Sequence, residues 1–258
     1  MCLIAFAWQT DPARPLLLIA NRDEFMDRPA APLAYWDDAP DIAAGRDLRE
    51  RGTWLGLSRS GRVAAVTNVR DPRDLARFPR SRGSLTAGFL GGQGSAADYA
   101  AALMPAAADY GGFNLLLWDG ADLIYASNRP RPQWRRVDPG FHGLSNAQLD
   151  TPWPKTVWAR QQIEEWVASG QTDGDRLIEA MRSRQVAPDP QLPDTGVGIE
   201  AERVLAPAFI HRPGYGTRCT TWLQIGADGQ ALIHERRYDA QMQPTGDTVL
   251  DVPLRCSR

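Results

Sequence analysis

The sequence predicts an α+β fold in which two antiparallel sheets pack face to face with helices outside. Short apolar runs occur in pairs across tight turns, and helical stretches are grouped between those pairs rather than alternating with single strands. Nothing in the 258 residues reads as a linker or an internal repeat, so one domain over 1–258 is expected.

Cys2 to Trp8 and Leu16 to Ala20 are apolar runs around Thr10-Asp11-Pro12, a hairpin buried on both faces. Arg28 to Asp41 is rich in Pro and Asp and reads as an ordered loop. Thr53 to Leu57 and Val63 to Asn68, joined across Ser60-Gly61, form a second hairpin, and Arg70 to Arg82 is a charged, irregular surface segment. Ser95 is the expected N-cap of a helix over Ala96 to Leu103. Phe113 to Trp118 and Asp122 to Ala126 turn at Asp119-Gly120. Pro154 suits a first helical turn. Behind it Ala159, Ile163, Trp166 and Val167 share one face, and Gly170 ends the run. Asp173 to Arg182 is a further helix, and Ala187 to Gly198, rich in Pro, Asp and Gly, is the expected mobile loop. Thr220 to Ile225 and Ala231 to Arg237 close the chain as a hairpin turning at Asp228-Gly229.

A net charge of −2 offers no basic face for nucleic acid. Lys155 is the chain's one lysine, so arginine carries the positive charge. Cys2, Cys219 and Cys256 make neither a disulfide framework nor a CxxC metal pair, which fits a reducing, cytoplasmic setting. No apolar run approaches a membrane span, and the N-terminus lacks the features of a secretory signal.

Removing Met1 would leave Cys2 with a thiol and a free α-amine, attacker and base on one residue. By position alone the plainer reading is a small apolar residue opening a core strand. A tight hairpin would return Asn21-Arg22-Asp23-Glu24 to its side. There an arginine lowers a thiol pKa and an aspartate holds an amine, although such a cluster also serves as a solvated turn. Asn68 and Asn146 each end an apolar stretch and would serve as oxyanion donors or as turn formers. Gly214-Tyr215-Gly216-Thr217-Arg218 permits close backbone approach beside a planar carboxylate-binding fork. Gly143 to Ala147 falls one residue short of GxSxG, Gly88 to Gly94 has no phosphate-loop spacing, and the three histidines are too scattered for a zinc site.

Met1-Cys2, Asn21-Arg22-Asp23-Glu24, Gly52-Thr53-Trp54-Leu55-Gly56, Thr67-Asn68-Val69-Arg70, Gly112-Phe113-Asn114-Leu115, His142-Gly143-Leu144-Ser145-Asn146, Asp150 to Lys155 and Tyr215-Gly216-Thr217-Arg218 run in order along nearly the whole chain. In these pieces the sequence resembles the NRDE-motif family, also called the transport-and-Golgi-organisation family. The resemblance implies an α+β, four-layer αββα N-terminal-nucleophile hydrolase-like sandwich of two antiparallel sheets flanked by helices. The wider architecture resembles cysteine amidohydrolases such as bile-salt hydrolases and penicillin V acylases. It carries the nucleophile to Cys2, the Arg and Asp to Arg22 and Asp23, the asparagine to Asn146 and the late arginine to Arg218. Those enzymes space the Arg and Asp apart. Here they are adjacent, and neighbours on a strand face opposite ways, so one of the two is expected to miss Cys2.

The family is associated with haem trafficking and with lipid or coenzyme A metabolism. The resemblance therefore implies first a binding and trafficking protein for haem or a similar amphipathic molecule in a cleft at Cys2. Asn21, Trp54, Arg70, Asn114, His142, His211 and Tyr215 are its candidate ligand-binding residues. Haem would be a bound ligand, and no cofactor or metal is required. The alternative is a cysteine amidohydrolase or acyltransferase acting on an amide or thioester, with Asn68 joining the catalytic set.

Overall fold

The computed structural model describes residues 2–72 and 78–255. Cys256 and part of the Arg70 to Arg82 segment therefore lie outside the described residues. In chain order the elements are β1 (Cys2–Trp8), β2 (Leu16–Phe25), β3 (Ala30–Trp36), β4 (Ala39–Asp47), β5 (Leu55–Ser58), β6 (Arg62–Asn68), α1 (Gly83–Leu90), α2 (Ala96–Leu103), β7 (Phe113–Trp118), β8 (Leu123–Ser127), β9 (Gln133–Arg136) and β10 (Gly140–Leu144). They continue with α3 (Pro154–Ala168), α4 (Asp175–Ala180), α5 (Ile199–Leu205), β11 (His211–Arg212), β12 (Tyr215–Ile225), β13 (Gln230–Tyr238) and β14 (Pro244–Pro253). All strand pairs are antiparallel. One sheet runs β10-β1-β2-β12-β13-β14 with β11 added to β12, and the other runs β3 to β9 in sequence order.

Period-2 alternation builds the four layers. Ile4, Phe6, Trp8, Leu16 and Leu18 face the second sheet and meet Leu55, Leu57, Val63 and Leu116 in the core between the sheets. Leu3, Ala5, Leu17 and Ile19 face outward and are covered by Ala159, Ile163 and Trp166 of α3 and by Leu177 and Ile178 of α4. On the far side, Leu85 and Phe89 of α1 and Ala100 and Leu103 of α2 cover Ala64, Val66, Leu115 and Leu117. Burial on both faces explains why these strands read as continuous apolar runs. Ser95 Oγ caps α2 by accepting from Asp98 N, and Pro154 begins α3.

Two expectations are corrected. Arg28 to Asp41 is not a loop: β3 and β4 form an edge hairpin, weakly patterned because only Leu33 and Trp36 of β3 are buried. The strand expected to end at Ala20 runs on to Phe25, because Asn21 to Phe25 pair with β12 on their other side. Ala187 to Gly198 is a loop, as expected, with a short 3₁₀ turn at Asp189–Gln191, and Glu202 of α5 accepts from Thr195 N and Oγ1. Among the described residues no helix is long and apolar enough to cross a membrane.

Candidate functional site around Cys2

Cys2 is the first residue of β1 and pairs with Arg22 of β2, which on its other side pairs with Cys219 of β12. Alternation puts all three side chains on the inner face of the first sheet, in the row Cys2, Arg22, Cys219. They line a cavity of about 760 Å³ between the sheets, together with Asp23, Glu24, Arg218, Glu235 and Arg237. The second sheet contributes Thr53, Trp54, Val66, Thr67 and Asn68, and the segment before α1 contributes Arg80 and Arg82.

Arg22 is 9% exposed, and the Glu24 carboxylate stands 3.9 Å from its guanidinium. The opening of the cavity owes something to a β-bulge. Pairing shifts register between Thr217, opposite Asp23, and Cys219, opposite Arg22, so Arg218 is the extra residue. A bulge re-aims a side chain. Here Arg218 donates to the carbonyls of Phe25 (2.8 Å) and Arg28 (3.1 Å) and borders the cavity.

Cys2 is 7% exposed, and burial pushes its thiol up from its ordinary value, with Asp23 adding to the rise and Arg22 opposing it. The main-chain N–H of Asp23 hydrogen-bonds the Cys2 sulphur. Asp23 Oδ1 accepts from Thr217 Oγ1 at 2.7 Å. Burial also pushes the Asp23 carboxyl up, against the pull of Lys155, the Thr217 bond and Arg22. Adjacent Arg22 and Asp23 thus both reach the surroundings of Cys2, one by its side chain and the other through its backbone. Cys219 is held well above its ordinary value by burial and by Glu235, its hydrogen-bond partner.

Asn68 ends β6 and borders the cavity. Asn146 lies beside it, outside the lining: its Nδ2 donates to Asn68 O (3.0 Å) and Oδ1 (3.1 Å). With its oxygen so occupied, Asn68 turns its Nδ2, among the described residues, toward one long contact, Val69 O at 3.4 Å. Ser145 Oγ donates to Cys2 O (3.1 Å), and Thr67 Oγ1 donates to Ser145 O (2.6 Å), joining the two sheets next to the thiol.

Of the other sequence candidates, Trp54 borders the cavity. Asn21 faces the helices, where its Nδ2 donates to Met181 O and Ala208 O and its Oδ1 accepts from Thr220. Arg70 forms a buried ion pair with Glu202 and lies over Trp153. Asn114 bonds Thr67, Ala147 and Tyr125 inside the second sheet. His142 is bonded to Asp150 (2.8 Å) and to Asp138 O (2.9 Å) and stacks on Phe6. His211 is exposed on short β11, and Tyr215 donates to Asp23 O at 3.2 Å from outside the cavity. The structure does not bring these six to the cavity wall. Cys219, Glu235 and Lys155 stand close to the site although sequence spacing assigned them nothing; their signal is tertiary. Asp175, His234 and Asp247 also converge far apart in sequence, but Arg236 already donates to both acids there.

The model of the family described as Transport and Golgi organisation 2 matches residues 1–240. The chain belongs to that family. It is the NRDE-motif family of the sequence resemblance. The chain is 34% identical to the Transport and Golgi organization protein 2 homologs of Bos taurus and of Homo sapiens, over 92% of this chain and 92% of each relative. The Drosophila melanogaster Transport and Golgi organization protein 2 is 27% identical over 96% of this chain and 95% of its own. Among solved structures, a Caenorhabditis elegans N-acylethanolamine-hydrolyzing acid amidase ortholog aligns with a TM-score of 0.52 at 8% identity, covering 97% of this chain and 100% of that one. The C2A mutant of a Clostridium perfringens conjugated bile acid hydrolase aligns with a TM-score of 0.50 at 11% identity, covering 97% and 92%. The chain therefore has the N-terminal-nucleophile hydrolase-like fold, with four αββα layers.

Proposed function

We propose that the chain is an N-terminal cysteine hydrolase that cleaves a C–N bond of an amide once Met1 has been removed. The observation that carries the reading is the row Cys2, Arg22, Cys219 on the wall of a cavity large enough for a small molecule, with Asn68 on the facing sheet. Cys2 sulphur attacks the carbonyl carbon and its proton passes to the α-amine of the same residue, which titrates near pH 7.7–8.0 when unperturbed. Because burial keeps the thiol protonated, an adjacent base is needed. Asn68 Nδ2, oriented by Asn146, donates to the oxyanion. The C–N bond then breaks as the leaving amine takes the proton back, and water releases the acyl group from sulphur as an acid. Arg22 and Arg218 fit an anionic group on the substrate. The fold neighbours are by name an amidase and a hydrolase, in keeping with this reaction class.

Haem fits the cavity less well. The arginines at its rim suit propionates, but no histidine or methionine lines it among the described residues. Iron would be left with Cys2, Cys219 or Tyr238, all pushed up by burial and so held in their protonated forms.

The test is a panel of amides and thioesters, with intact and peptide mass spectrometry reading an acyl adduct on Cys2. An adduct lost in Cys2→Ala supports the reading. Turnover that survives Cys2→Ala contradicts it.

A further inference from the structure

Two buried cations meet at the start of α3. The Arg70 side chain, just after β6, is 6% exposed, and so is Lys155 in the first turn of α3. Arg70 Nη1 donates to Glu202, but its Nε and Nη2 are buried and find no acceptor among the described residues. Buried donors left in that state carry the full cost of losing water. Lys155 Nζ donates to Leu205 O at 2.9 Å and forms no ion pair among the described residues. Glu202 is paired with Arg70 alone, and it also accepts from Thr195 N and Oγ1.

Arg70 and Lys155 line a second cavity, separate from the one at Cys2 and about 10 Å³ in volume, which is room for one atom-sized occupant. Trp153 and Pro154, the N-cap and first residue of α3, line it too. This helix of 15 residues has no side-chain cap bond and no acidic residue in its first turn. Its positive end therefore faces the cavity without a counter-charge of its own. Among the described residues, no side chain on the cavity wall offers an acceptor. A water there would bring two protons with no side-chain oxygen to take them. A monatomic anion accepts from every donor and offsets the excess of positive charge.

We propose that this cavity binds one chloride ion at the N-terminus of α3, held by Arg70 Nε and Nη2 and by Lys155 Nζ. Its volume excludes polyatomic anions such as sulphate or phosphate. The site stands apart from the reaction proposed for Cys2. It ties together the segment after β6, the start of α3 and the end of α5, which are remote in sequence. Arg70 N also donates to Asn146 O at 2.7 Å, so an ion that fixes Arg70 braces Asn146 as well.

The experiment uses the full chain at neutral pH, with sodium chloride replacing sodium gluconate at constant ionic strength. The wild-type melting temperature should rise by roughly 3–5 °C once chloride stands about tenfold above its dissociation constant. Bromide should act alike, and crystals grown in it should show an anomalous peak against Arg70 and Lys155. Lys155→Met keeps the Arg70–Glu202 pair but removes one cation, so it should ignore chloride and hold no bromide. Without chloride this variant still escapes the cost of a buried ammonium, and wild type recovers part of the difference only when the ion is bound. Arg70→Lys keeps the charge and loses the orphaned donors, and should weaken chloride by roughly tenfold or more. If Arg70→Lys does not fold, Lys155→Met decides. Water in place of bromide in the cavity, bromide at surface positions only, or equal chloride shifts in wild type and Lys155→Met would each overturn the proposal.

Discussion

Replacing Lys155 by methionine should make the folded chain more stable. The ammonium's pKa falls from 10.5 to about 8 on folding, which corresponds to roughly 3 kcal/mol of cost for keeping it charged in the interior. Against this, the variant loses the bond to Leu205 O, worth about 1 kcal/mol. The net expectation is a gain of roughly 2 kcal/mol at neutral pH. The sign follows from proton counting. Between about 8 and 10.5 the unfolded chain binds more protons than the folded one, so wild-type stability rises with pH across that window. The variant has no such rise. Its advantage is therefore complete below about pH 8 and gone by about 10.5. Urea unfolding at a series of pH values measures this. A variant less stable than wild type at neutral pH, or an advantage that stays constant with pH, would refute the reasoning.

Other substitutions probe the same architecture. A Cβ at Gly143 would lie 2.5 Å from Thr156 Cγ2 and 2.9 Å from Thr156 O; Gly143→Ala must push α3 off β10 and should cost roughly 1–3 kcal/mol, seen as a lower melting temperature. Arg22→Met removes a cation that lowers the Cys2 thiol, so the midpoint of Cys2 alkylation should move to higher pH; an unmoved midpoint would show that Arg22 does not act on the sulphur. Glu235 Oε1 accepts from Leu33 N across the two sheets. Glu235→Leu leaves that buried N–H unpaired at a cost of roughly 1–3 kcal/mol, whereas Glu235→Gln retains an acceptor and should cost clearly less in denaturant titration.

Hairpins with Asp-Gly turns were legible because their strands are buried on both faces and the turn residues are specific. The β3–β4 edge hairpin was hidden by Pro and Asp at positions that face solvent. Helix α1 follows a charged segment and contains Gly83 and Gly88. Its close approach to the segment before β5 needs Gly52, where a Cβ would meet the Gly83 backbone at 2.4 Å, a constraint no local propensity expresses. Edge strand β14 begins and ends in proline, which reads as loop. In the site, Cys2 and the Arg22-Asp23 pair were visible because a hairpin brings them together locally. The bulge at Arg218, the engagement of Arg70 by Glu202 and the burial of Lys155 depend on β12 and α5 arriving from far along the chain. Residue type alone likewise put His142 and Asn114 forward, although local bonds to Asp150 and Tyr125 already occupy them.

Whether residue 2 carries a free amine is what the whole proposal depends on, and intact mass spectrometry of the protein as cells make it answers this directly. The expected mass is that of the sequence shortened by its initiator methionine, with the new terminal cysteine open to acylation. A chain that keeps the methionine in full would deny the thiol its base and contradict the account.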